Sequence, residues 1–333
     1  MDKYLVSKLI LLTFILECGC YKILLLPAQF KSHLNYFVPV GSALRGAGHE
    51  VHIVLSEAYP PPQGLKEDGV HVLSYKSPGG VCYLATEQFG KDVVTTTLAN
   101  PDDPSKLGEV VGPSMAQECD NFLTDRTLIE RTKKINFDVA VVDGLFFSRC
   151  LYLLPAYLGI PYVTLTTLQE PWHVRNPALP SFVPFHYAGQ TDRMTLSQRM
   201  FNSFVNLVWI LTSNKNVPPL SEKVLSIYPP ELASQLHELI KKSSLWFYNT
   251  DIVLDYPKPQ MPNVVNIGGL SIRPTQPLPL NYRRSWTDPP KELWLSLSAQ
   301  FCRTCPPTSV KNSSELLVKF LKQYYGGFPA LWT

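Results

Sequence analysis

Residues 21–33 read Tyr21-Lys22-Ile23-Leu24-Leu25-Leu26-Pro27-Ala28-Gln29-Phe30-Lys31-Ser32-His33, and this stretch decides the fold. The apolar run from Ile23 to Leu26 is continuous rather than alternating, as in a strand covered on both faces, and Pro27 closes it. Outward from it the same kind of run recurs, so the predicted strands are residues 22–26, 51–56, 70–75, 138–142, 162–166 and 245–249. Between them residues 34–44, 107–133, 146–158, 196–212 and 231–241 carry apolar residues at three-to-four spacing and read as helices. Gly46 and Gly48 mark the end of the first helix, and Gly159 before Pro161 the end of the third. Short buried strands alternating with amphipathic helices predict an α/β fold with a doubly wound parallel sheet.

The chain has 333 residues, 45% hydrophobic and 17% charged, a globular composition long enough for two domains. A net charge of +3 on dispersed basic residues carries no footprint for nucleic acid, which leaves small molecules or proteins as partners. Lys3 and Lys8 flank the apolar run at residues 9–16, and Cys18, Gly19 and Cys20 come after it, so residues 1–20 read as a secretory signal cleaved near Cys20. That run is short of the ~20 residues a bilayer span needs, and no such run occurs later. Eight prolines fall between Tyr256 and Pro290, a density that forbids regular structure and reads as a semi-rigid connector. The expected organisation is a signal at residues 1–20, a sheet domain at 21–255, a Pro-rich connector at 256–290 and the start of a second domain at 291–333. That last piece holds a strand at 293–297 and a helix at 314–325, and Thr333 falls within what reads as the next strand. It also holds the sequon Asn312-Ser313-Ser314. Beyond the signal stand Cys82, Cys119, Cys150, Cys302 and Cys305, an odd number at wide spacings that is no disulfide framework. The lone C-x-x-C at Cys302 and Cys305, with Pro306 and Pro307 directly after it, is a weak metal signal, and no metal is expected.

Ligands of open α/β sheets sit at the carboxyl ends of the strands. The turn after the first strand, residues 27–33, has no glycine, which disfavours the dinucleotide-binding fingerprint. It offers His33, at the start of a helix that Ser32 is positioned to cap. A helix N-terminus disfavours an imidazolium, so a histidine there stays neutral and able to accept a proton, as a general base must. A solvated or capping histidine is the competing reading. Asp143 ends the run Val139-Ala140-Val141-Val142 at a second carboxyl end. It either caps the next helix or, if it faces His33, holds the imidazole orientation and stabilises its charged form. Phe30, Tyr83, Phe89, Trp172 and Phe185 are candidates to line an apolar acceptor pocket, with core packing as the alternative for each. The remaining histidines, His49, His52, His71, His173, His186 and His237, read as structural.

Taken together, residues 21–27 with Ser32-His33, then Leu44-Arg45-Gly46-Ala47-Gly48-His49-Glu50-Val51, then Phe137-Asp138-Val139 to Asp143, resemble the N-terminal domain of UDP-glucuronosyltransferases in order and spacing. Leu158-Gly159-Ile160-Pro161-Tyr162-Val163, residues 177–183 and Asn263-Val264-Val265-Asn266-Ile267-Gly268-Gly269-Leu270 extend the resemblance to about residue 280. It implies a GT-B arrangement of two Rossmann-like domains facing a cleft, the first for a small lipophilic acceptor and the second for a UDP-sugar. It further implies inverting transfer of glucuronic acid or glucose without metal or other cofactor, His33 as base, Asp143 as its support, the endoplasmic reticulum lumen as location, and association with itself or with family members. The departure is Leu297-Ser298-Ala299, where the family has a Leu-Gly-Ser turn near the donor diphosphate, so glycine's close backbone approach is lost. On this reading the second domain is incomplete, and the chain by itself is expected to bind acceptor without transferring sugar. The alternative is an acceptor-binding or regulatory partner of longer family members.

Overall fold

The computed structural model describes residues 19–272 except 63, 64, 66, 101–104, 168–170, 175–178, 186–189, 213–218, 252, 254 and 271. The secretory signal up to residue 18, the second-domain elements at 293–297 and 314–325, the Cys302–Cys305 pair, the sequon and the Ser298-Ala299 turn lie outside the described residues.

Among the described residues seven strands form one sheet: β1 (Lys22–Leu26), β2 (Glu50–Ser56), β3 (His71–Tyr75), β4 (Val139–Asp143), β5 (Tyr162–Thr166), β6 (Trp246–Tyr248) and β7 (Val264–Asn266). Their order is β3-β2-β1-β4-β5-β6-β7 and every neighbouring pair is parallel. The helices between them are α1 (Lys31–Gly46), α2 (Glu87–Ala99), α3 (Ser105–Thr124), α4 (Arg126–Ile135), α5 (Leu153–Leu158), α6 (Pro171–Val174) and α7 (Leu196–Thr212), with short helical turns before β6. This is the α/β doubly wound sheet expected from the continuous apolar runs. Successive side chains of β1 enter opposite layers. Leu25 joins Leu34, Phe37, Val51 and Ile53 beside α1, while Leu24 and Leu26 join Met115, Leu123, Val142 and Leu153 on the other face. Burial on both sides is why β1 shows no alternation in the sequence.

Several elements differ from the sequence reading for identifiable reasons. The predicted helix at residues 107–133 is two helices, because Asp125 breaks the run and its Oδ1 caps α4 by accepting the Leu128 N–H at 2.9 Å. The predicted helix at 146–158 opens as a 3₁₀ stretch, Phe146–Tyr152, before α5. α2 was hidden by its β-branched Val93-Val94-Thr95-Thr96-Thr97 run, and Thr86 starts it by accepting the Phe89 N–H at 3.1 Å. β4 runs one residue later than expected, since Asp138 turns aside to accept the Lys22 N–H at 2.7 Å and Asp143 still pairs with Leu165. β7 lies inside the segment read as connector, so the sheet domain extends to Asn266 rather than stopping at 255. An edge strand needs a ladder on one side alone, which three residues between Pro262 and Gly268 provide.

The cysteine reading is corrected too: Cys119 of α3 and Cys150 of the 3₁₀ stretch form a disulfide, with Cα atoms 5.9 Å apart. Parity misled, because Cys82 is buried and free, its thiol pushed up to about 12 by burial. The disulfide clamps the segment after Asp143 onto α3. Gly144 tightens the same corner, since a Cβ there would lie 2.6 Å from Thr164 Cγ2 and 2.8 Å from Thr166 Cβ.

Both features of this corner should be visible in stability. Serine at both Cys119 and Cys150 should lower the unfolding free energy by about 3 to 4 kcal/mol, the loop-entropy value for a 31-residue separation, read as a shift in the urea midpoint. Midpoints equal to the oxidised protein would show that the bond constrains nothing. Gly144→Ala should cost about 1 to 3 kcal/mol by overpacking against β5 and lower the melting temperature; an unchanged melt would mean β5 yields freely.

Candidate active site

β1 and β4 are adjacent, yet the chain leaves β1 toward β2 and leaves β4 toward β5. Connections that part in this way open a crevice at the carboxyl ends of the two strands. His33 comes after β1 and Asp143 ends β4, so topology brings together two residues 110 positions apart.

The turn between β1 and α1 is held by a side chain. Gln29, buried, donates to the Val54 and Pro27 carbonyls at 3.3 and 3.0 Å and accepts the Ser56 N–H at 3.0 Å. That ties the turn to β2. Phe30 is the N-cap, extended at φ −92° and ψ 138°, and its carbonyl accepts the His33 and Leu34 N–H groups, each at 3.0 Å. Ser32 therefore does not cap: it lies inside the first turn, and no side chain caps this helix.

Asp143 has no solvent exposure, and its charge is compensated by donors. Oδ1 accepts the Leu145 N–H at 3.0 Å, while Oδ2 accepts the Ala28 N–H at 3.1 Å and faces His33 Nδ1 at 2.6 Å. The two readings of Asp143 thus merge, because one oxygen fixes the next turn and the other faces the imidazole. With a carboxylate oxygen at 2.6 Å, Nδ1 carries the hydrogen and Nε2 the lone pair. The His33 side chain is 12% exposed, and Nε2 has no hydrogen-bond partner among the described residues. A neutral imidazole with a free Nε2, backed by a buried carboxylate, can take up a proton and hold the resulting charge.

Three of the aromatic candidates form a chain leading away from this pair. Phe30 lies 5.2 Å from the His33 ring and 5.4 Å from Phe89, which lies 5.4 Å from Tyr83, all between ring centres. Phe30 and Phe89 are buried with the core, and of the two only Phe30 touches the His33 ring. The Tyr83 hydroxyl donates to Asp92 of α2. Phe185 belongs to another element, packed 5.7 Å from Trp209 of α7 with its N–H given to Asn202 Oδ1 at 2.8 Å. The side chain of Trp172 lies outside the described residues. His49, His52 and His71 gather at the opposite end of the strands, with His52 Nε2 2.8 Å from Glu50, and His173 Nε2 lies 3.2 Å from the buried Arg149 guanidinium. Among the described residues no cluster of three metal-binding side chains occurs.

Two features of the site were not found from sequence. A cavity under the turn at 27–29, bounded by Tyr75, Met115, Glu118 and Phe122, is large enough for one water and too small for a substrate. Tyr75 donates to Glu118 there at 2.7 Å, and burial raises that carboxyl's pKa. The other is Tyr36, buried beside His33 with its hydroxyl 2.5 Å from Nδ1. Spacing three residues apart on one helix face was the available signal.

The family model described as UDP-glucuronosyl and UDP-glucosyl transferase matches residues 21–287. The 2-hydroxyacylsphingosine 1-beta-galactosyltransferase of Rattus norvegicus is 30% identical over 267 residues, covering 80% of this chain and 48% of that protein. UDP-glucuronosyltransferase 3A1 of Xenopus laevis is 25% identical over 283 residues, covering 83% and 52%. Among solved structures, the calicheamicin glycosyltransferase CalG4 aligns with a TM-score of 0.40 at 18% identity, covering 75% of this chain and 52% of that one. The chain spans about half the length of the relatives it matches. With the match running from β1 past β7, the chain belongs to the UDP-glucuronosyl and UDP-glucosyl transferase family.

Proposed function

We propose that this chain forms the acceptor-binding side of a UDP-glycosyltransferase that moves glucuronic acid or glucose from a UDP-sugar to a hydroxyl of a small lipophilic compound. The observation that carries the reading is the 2.6 Å contact between His33 Nδ1 and the buried Asp143 carboxylate at the crevice of the sheet. His33 Nε2 takes the acceptor hydroxyl proton as the acceptor oxygen bonds to the anomeric carbon. The bond from that carbon to the UDP phosphate breaks, and UDP leaves with the electron pair. Attack from the face opposite the leaving group inverts the anomeric centre. The imidazolium formed is stabilised by Asp143, whose own position is fixed by the Ala28 and Leu145 N–H groups.

A lipophilic acceptor is supported by the Phe30, Phe89 and Tyr83 chain beside the base and by the sphingosine-directed name of the rat relative. The UDP-sugar donor rests on family membership, and we place it across the crevice on a second Rossmann-like domain in the GT-B manner. Location in the endoplasmic reticulum lumen is supported by the reading of residues 1–20 and by a disulfide, a bond that persists in oxidising compartments. Holding donor and acceptor together contributes ~7 to 11 kcal/mol of such a barrier, and the base adds the proton step.

The reading is tested by joining residues 21–272 to the C-terminal half of a matched relative and assaying transfer to a lipophilic phenol. His33→Ala should lower turnover by about 10² to 10⁴ while calorimetric phenol binding persists. A folded His33→Ala protein that turns over as fast as the parent would remove His33 from the chemistry.

A further inference from the structure

We infer that Tyr36 is a positioning residue of this site, its hydroxyl locking the His33 ring in the tautomer that keeps Nε2 free to take a proton; the inference rests on the reading of His33 as the base. Tyr36 stands three residues after His33 on α1, so both side chains leave the same helix face, and their ring centres are 5.3 Å apart. The Tyr36 oxygen lies 2.5 Å from His33 Nδ1 and 3.3 Å from Asp143 Oδ2, while Nδ1 and Oδ2 are 2.6 Å apart. Three polar atoms therefore form a closed triangle, with two hydrogens to distribute along its sides.

Only one distribution leaves no two lone pairs opposed. A carboxylate oxygen can only accept, so the 2.6 Å side requires the hydrogen on Nδ1. Nδ1 then has no lone pair to accept from the phenol, and the Tyr36 hydrogen turns to Oδ2 while the phenol oxygen offers a lone pair to Nδ1–H. In the other tautomer Tyr36 would donate to a bare Nδ1, and that nitrogen's lone pair would confront the carboxylate across 2.6 Å. Tyr36 thus supports the first tautomer twice, by accepting from the ring and by donating to its partner. The role requires a protonated phenol, and burial, then the Asp143 charge, hold its ionisation far above the ordinary tyrosine range. The ionisable groups around the triangle are Asp143 and, behind it, the buried Tyr152, which shares a 2.8 Å hydrogen bond with Thr164 and takes no part in the triangle. Among the described residues the hydrogen-bond partners of the His33 ring are Asp143 and Tyr36.

The experiment is nitrogen NMR of the full chain with labelled histidine, the His33 signals being assigned by their loss in His33→Ala. With its imidazole neutral, the unsubstituted chain should show hydrogen on Nδ1 and a bare Nε2. Tyr36→Phe should mix in the second tautomer, read as a redistribution of the Nδ1 and Nε2 signals, since the ring then loses the acceptor beside Nδ1–H and Asp143 loses the phenol donor. A bare Nδ1 in the unsubstituted chain overturns the inference without need of any variant. So does a folded Tyr36→Phe protein with the parental tautomer, because a role confined to packing would not move it. Shifted His33 signals in Tyr36→Phe, alongside full turnover of His33→Ala in the joined enzyme, would sink the base reading and leave the hold of Tyr36 on the ring standing.

Discussion

A carboxylate with no exposure to water is the constraint on which this site is built. Removing the charge of Asp143 from solvent would cost several kcal/mol if its oxygens were unpaired. The fold meets that cost with the Ala28 N–H from the turn after β1, the Leu145 N–H from the turn after β4, and the His33 ring and Tyr36 hydroxyl from α1. These donors come from both sides of the crevice. The carboxylate therefore joins the two turns as well as facing the imidazole, and the geometry of the His33 ring depends on the backbone that Asp143 organises. Gly144 and the Cys119–Cys150 bond act on the same corner from outside, one by letting β5 approach closely and the other by holding the 3₁₀ stretch against α3.

The elements legible in the sequence were those that burial writes in one dimension. β1 and β5 came out at their observed bounds because a strand covered on both faces is an uninterrupted apolar run, and α7 because its apolar spacing is regular. His33 and Asp143 were found because carboxyl ends of buried strands are where such sheets expose polar groups. Their contact was out of reach, since it depends on β1 and β4 being neighbours, a matter of strand order rather than of any local pattern. Tyr36 carries no mark in the sequence beyond its spacing from His33, and only the folded chain turns its hydroxyl to the imidazole. Ser32 looked like a cap because of its residue type. The extended backbone at Phe30 moved the helix start two residues earlier and left the serine inside the first turn.

α7 is a different case, where the periodicity was right and its usual meaning was not. Leu196, Met200 and Phe204 are 75%, 66% and 63% exposed, whereas the polar Asn202 has no exposure. Asn202 donates to the Pro180 and Val183 carbonyls at 2.7 and 3.0 Å and accepts from Phe185, so the inner face of the helix anchors a loop backbone as well as packing Trp209 against Phe185. Hydrophobic spacing located the helix but could not say which side faces the protein. A buried asparagine with its hydrogen-bonding groups matched to a neighbouring loop fixes orientation as firmly as a row of leucines, because leaving any of them unmatched is costly.

The prolines that concealed β7 also govern how the sheet ends. A strand at the rim of a sheet presents unpaired N–H and C=O groups to any extended chain that drifts alongside, and a long flat rim invites edge-to-edge aggregation. Among the described residues β7 is the rim strand, three residues long, with Pro262 just ahead of it and Gly268 just behind, where even a methyl group would lie 2.6 Å from the Thr250 carbonyl oxygen. An incoming strand finds too few consecutive hydrogen-bonding groups to hold a register. The Pro-rich composition that reads as a lack of structure is, at this border, a guard against unwanted polymerisation.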